Sequence, residues 1–224
     1  MRIFELTQTE KVNVAALSRK LVGTQSHEEV ADIVGDQFPD VQVIIRNSPI
    51  YDMGPDMALT SGFYDPPTGD EEENIGLDLL FDNPDREITW NNTNRKQFLR
   101  SIQDTLEHEL LHRNQERSRQ GRGYDRDFER GDRYARDKSE PYYSVDDEIE
   151  AFAMNAASQV MRDARNDKQR ALEILRNARS AEELKNQLTG VKGSDLKRYL
   201  DQFKPGDPTL KRFLKKVVQF IQEK

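Results

Sequence analysis

The sequence has no cysteine. Disulfides and cysteine-ligated zinc knuckles are therefore excluded, and nothing argues for an oxidising compartment. Histidine is scarce, with three residues in the chain, so imidazole chemistry must come from His27, His108 or His112. No stretch approaches the roughly 20 apolar residues of a membrane span. The N-terminal MRIFELTQTEKVNV lacks the apolar run and the cleavage pattern of a signal peptide. Apolar residues are few for 224 positions, at 35% against 33% charged, so the core must be compact and some segments add little to it. A uniformly basic composition is missing too: the net charge is -7, acid exceeds base over residues 1–160, and the excess reverses over 161–224. The expectation is a cytoplasmic protein with neither nucleic acid nor membrane as partner.

What is present begins with weak helical spacing over Val12 to Val22. Ser26, followed by Glu28 and Glu29, predicts a capped helix from about His27 to Phe38. Val41 to Ile45 is short, apolar and β-branched, and reads as a strand. Residues 47–73 are rich in Pro, Gly and Asp and read as loop, with a short strand near Met57 to Thr60. Ile75 to Phe81 and Glu87 to Trp90 read as strands joined by the turn Asn83-Pro84-Asp85, hence as a hairpin. A long helix capped by Thr93 or Asn94 then carries Phe98, Leu99, Ile102, Leu106 and Leu110 at helical spacing. A charged, glycine-containing stretch follows at about 117–141. Ser144 and Asp147 form a capping pattern for a helix whose stripe runs Ile149, Phe152, Ala153, Ala156, Ala157, Val160, Met161 and Ala164. Short helices are expected at 168–178, 181–189, 194–203 and 208–222, the last opened by Asp207-Pro208. This gives an α+β fold: a small mixed or antiparallel sheet on the long helix over residues 1–165, and a C-terminal all-helical extension over 166–224.

The long helix contains His108-Glu109-Leu110-Leu111-His112. Histidines four apart lie one turn apart on one helical face. Neutral imidazoles so placed can bind one Zn²⁺, and a glutamate rotated about 100° from the first histidine can take a proton from the metal-bound water. With two of three histidines in the motif, the pattern outweighs a chance pair of surface histidines. A catalytic zinc needs a third protein ligand and an open position. Cysteine is absent and His27 is far upstream, so a carboxylate is expected, with Glu148 and Glu150 flanking the apolar stripe of the next helix on opposite sides.

HELLH followed by Glu148-Ile149-Glu150-Ala151 resembles the gluzincin class of zinc metallopeptidases. Residues 142–153 are also similar to compact HExxH proteins encoded by tailed bacteriophages. The resemblance covers about residues 75–160, and its specific part is the two motifs. It implies His108, His112 and Glu148 as metal ligands, with Ala151 in the small position three beyond the glutamate, and Glu109 as general base. It implies a zincin-like packing with an edge strand for a peptide substrate, and a tyrosine as proton donor; Tyr143 is favoured over Tyr142, Tyr134 and Tyr124. It also implies a bacterial or phage-infected cell, with virion association. Many gluzincins have an aspartate four residues after the ligand glutamate; Phe152 stands there, so Asp147, Asp104 or a carbonyl must orient the histidines. The function expected is zinc-dependent peptide-bond hydrolysis. The alternative is a phage virion structural or assembly protein that keeps the metal site without catalysis.

Three further features read as structural. His27 is expected on a helix surface. The acidic run Asp70 to Glu73 fits no calcium-loop spacing. The final helix sets Leu210, Phe213, Leu214, Val217, Val218 and Ile221 against a Lys/Arg face, which packs on its own domain or offers a surface to a protein partner.

Overall fold

The computed structural model describes residues 12–47, 58–68, 70, 72–81, 87–118, 146–177, 195–203 and 206–223. The fold is α+β, and the chain divides into two compact units, Met1–Arg122 and Gly123–Lys224.

The first unit contains α1 (Leu17–Lys20), β1 (Thr24–Gln25), α2 (His27–Gln37), β2 (Val41–Asn47), β3 (Ala58–Asp65), β4 (Asn74–Phe81), β5 (Ile88–Thr89) and α3 (Asn92–Ser118). The helix expected over Val12 to Val22 shortens to the single turn of α1. α2 starts as its sequence requires: Ser26 accepts from Glu29 N at 3.1 Å, and Glu29 accepts from Ser26 N at 2.9 Å.

The three-stranded sheet has the order β2–β4–β3. β4 runs parallel to β2, with Val41 opposite Ile75, and antiparallel to β3, with Ala58 opposite Phe81. This central strand is buried from Ile75 to Phe81, which accounts for its near-continuous apolar run. Its polar exception, Asp78, is paired with Arg46 Nε at 2.8 Å. At Gly76 the ring of its register partner Phe63 occupies the place of a side chain.

The expected hairpin between 75–81 and 87–90 does not form. β5 pairs with β1 in a separate two-stranded sheet, Thr24 opposite Thr89. The edge of β4 goes instead to β3, which runs from Ala58 to Asp65 through a region read mostly as loop. Gly62 and the following Pro66-Pro67 mask that strand in the sequence.

α3 packs on β3 and β4. Its start lies slightly earlier than expected: Asn91 Oδ1 accepts from Thr93 N and Asn94 N, while Asn94 Oδ1 accepts from Asn91 N at 2.8 Å. Phe98, Ile102 and Leu106, one turn apart, enter a core with Leu77, Leu79, Phe81, Leu17, Leu21, Val30 and Val34.

The second unit contains α4 (Asp146–Asp163), α5 (Lys168–Asn177), α6 (Asp195–Gln202) and α7 (Pro208–Glu223). Ala153, Ala156, Ala157 and Ala164 are fully buried in one cluster with Leu196, Tyr199, Phe203, Leu210, Phe213, Val217 and Ile221. Small side chains let helices approach closely, and Tyr199 stacks on Phe213 at 3.9 Å. Within this unit α4 shares its core with the helices that follow it. The stretch 119–145, with the cap at Ser144, and the helix expected over 181–189 lie outside the described residues. Among the described residues no helix is long and apolar enough to cross a membrane.

Candidate metal centre

A step of three residues turns a helix by about 300°, so positions three apart are offset by about 60°. On α3 this arranges three neighbouring rows. Phe98, Ile102 and Leu106 form the core row. Ser101, Thr105 and Glu109 form the next row, and His108, His112 and Glu116 the one beyond it. Hydrophobic burial of the first row fixes the rotation of the helix, and the other two rows follow from the sequence spacing.

The middle row faces β3. Thr60 Oγ1 lies 2.7 Å from Ser101 Oγ and 2.7 Å from Thr105 Oγ1, and Thr60 N donates to Ser101 Oγ at 3.1 Å. Residues 60, 62 and 64 share one side of the strand. Glu109, buried at 6% exposure, lies against Gly62: its Oε1 is 2.9 Å from where a Cβ of residue 62 would stand.

In the third row His108 and His112 are both buried. Their Nε2 atoms stand 3.0 Å apart, close enough for both to reach one small cation. His112 Nδ1 is 3.1 Å from Gln115 Oε1. An amide oxygen can only accept, so this contact favours the tautomer with the proton on Nδ1 and Nε2 as a lone pair. Gln115 is itself buried, at 3% exposure. This orienting partner was missed in the sequence, where Asp147, Asp104 or a carbonyl was expected. Gln115 is three residues beyond His112 and so on the adjoining face, which is the signal that could have found it.

Among the described residues, His108, His112 and Glu148 are three buried groups whose ligand atoms all lie within 4.8 Å of one another. They could hold a metal ion. Two imidazoles and a carboxylate are a donor set suited to zinc, and the lone-pair form of His112 fits that use. Glu150 has a different place: its Oε1 receives Lys216 Nζ at 2.8 Å. Asp147 is buried and Asp104 half-buried.

Tyr143, with Tyr142, Tyr134 and Tyr124, lies outside the described residues. The tyrosine found beside α3 is Tyr64 on β3, buried at 2% exposure. Burial, followed by the charges of Glu73 and Glu116, pushes its pKa up to about 12. Its hydroxyl faces Glu73 at 3.5 Å. His27 is not the surface residue expected: it is 3% exposed and stacks on Phe81 at 3.7 Å. As the first residue of α2 it meets the end of β4, and the cap at Ser26 turns its ring into the core.

Comparison of the chain with family models, with curated proteins and with solved structures finds no match.

Proposed function

We propose that the chain is a zinc-dependent peptide-bond hydrolase of gluzincin type. The observation that supports this most is the buried group His108, His112 and Glu148, with the buried carboxylate of Glu109 next to His108 on the same helix. Zinc bound there would supply Lewis acidity and an activated water at neutral pH.

The chain's own residues then have separate tasks. His108, His112 and Glu148 are the ligands. Gln115 holds the His112 ring in the tautomer that leaves Nε2 open. Glu109 takes the proton of the attacking water and passes it to the leaving amine. β3 has β4 on one side only among the described strands, and it lies against α3. It is therefore the edge on which an extended peptide would pair through main-chain hydrogen bonds. β4 is the central strand of its sheet, and β5 belongs to the separate two-stranded sheet.

The test uses the full chain loaded with zinc and a mixture of unstructured peptides read by mass spectrometry. New termini are expected with the wild type. Glu109→Gln should keep one zinc per chain and lose at least about 100-fold in rate. Equal rates for Glu109→Gln and the wild type would overturn the mechanism. Zinc binding without cleavage by either would turn the reading to a metal site kept for stability.

A further inference from the structure

At Gly62 the backbone of β3 packs closely against α3. A Cβ built there would stand 2.7 Å from Thr105 Cγ2, 2.8 Å from Glu109 Cγ and 2.9 Å from Glu109 Oε1. Carbon atoms in contact settle at about 3.5–4.0 Å, so no side chain fits without something moving. The backbone gives no other reason for glycine, because Gly62 is not among the residues of positive φ. What the position requires is empty volume, and two of the three atoms nearest to it belong to Glu109.

The strand cannot easily retreat. Two residues earlier, Thr60 is tied to α3 by hydroxyl contacts of 2.7 Å to both Ser101 and Thr105. On its other side β3 is held by the ladder to β4, Gly62 opposite Leu77. A methyl at residue 62 would meet a fixed strand, a fixed helix backbone and two side chains, of which Glu109 is the longer and more pliant.

We propose that Gly62 is the positioning residue for Glu109, its missing side chain being the seat that sets where the Glu109 carboxylate stands. The proposal rests on the hydrolase reading for what Glu109 does there, but not for where Glu109 sits. Gly62 acts through Glu109 and not through a ligand of the candidate metal.

The experiment compares the zinc-loaded full chain with Gly62→Ala and Gly62→Ala/Thr105→Ser. The second variant removes the Cγ2 clash and keeps the hydroxyl that meets Thr60, so it relieves strain without restoring the seat. The readouts are zinc affinity by chelator competition, kcat and KM on a peptide cleaved by the wild type, the melting temperature, and the Glu109 position in crystal structures. Both variants should bind zinc as the wild type does, and kcat should fall about 100-fold with KM little changed, the scale of a 1 Å misplacement of a reacting group. The melting temperature should drop in Gly62→Ala and recover in the double variant, while kcat does not recover. A displaced Glu109 carboxylate in either variant supports the proposal. Wild-type kcat in Gly62→Ala, joint recovery of kcat and melting temperature, or an unmoved Glu109 would overturn it. If the wild type binds zinc and cleaves nothing, the hydrolase reading fails and the Glu109 displacement alone decides the positioning role.

Discussion

Glu148 and Glu150 are two residues apart on one helix, the first grouped with His108 and His112 and the second paired with Lys216, which makes them a clean pair for substitution. Glu148→Ala and His112→Ala should each abolish tight zinc binding, measured by elemental analysis after dialysis. Glu150→Ala should keep the zinc and lose its ion pair with Lys216, at a cost to stability of no more than about 1 kcal/mol for a partly exposed pair. Gln115→Leu leaves the three candidate ligands in place but removes the acceptor facing His112 Nδ1. Outer-shell losses of this kind cost about 10–100-fold in metal affinity, readable by competition with a chelating dye. Tyr64 supplies a pH signature. Its folded pKa, about 12, lies above the ordinary 10.0, so the fold favours the protonated phenol. That stabilisation is complete below the ordinary value and is lost as pH rises toward 12. Thermal melts between pH 9 and 12 should fall more steeply for the wild type than for Tyr64→Phe. At this scale the sequence exposed the motif because two histidines at a fixed interval are visible in one dimension. It concealed Gly62, whose role is an absence of atoms, and Gln115, whose residue type carries no metal signature. His27 was misread because its polarity outweighed the cap that turns it inward.

The elements that read most clearly were those with long unbroken periods. The alanine stripe of α4 and the apolar row of α3 each repeat over several turns, and a repeated period is hard to produce by chance. Ala157→Leu tests the reading of that stripe. The position is fully buried in a helical cluster, so overpacking should lower unfolding free energy by about 1–3 kcal/mol, seen in urea titration. A surface-facing Ala would accept the change at almost no cost. Strand pairing was far less legible. β4 is recognisable by composition, but its neighbours are not, since nothing local in Ile75–Phe81 says which strands flank it. The turn residues after Phe81 suggested a hairpin, whereas β5 found its partner in β1. Local turn chemistry was overruled by pairing between segments distant in the chain.

At the scale of the whole molecule, the reversal of charge along the chain suggested a division but not its place, because α4 lies in the acidic part and packs with the basic part. Zinc should act as a stabiliser of the native chain, since an ion that binds only the folded state raises stability by mass action. At about 1,000 times its dissociation constant the gain is about 4 kcal/mol. Differential scanning calorimetry with zinc, and then with excess chelator, should show the midpoint rise and return. The order of strands in the sheet also bears on how the chain assembles during synthesis. β4 is the last of its three strands to leave the ribosome and the one to which both others bond. The short link to β3 makes that antiparallel pair the cheaper closure, and the longer excursion back to β2 the dearer one. A nascent chain halted before Asn74 would therefore hold two strands with no template, and the β-branched segment Val41–Ile45 would be the last to find its place.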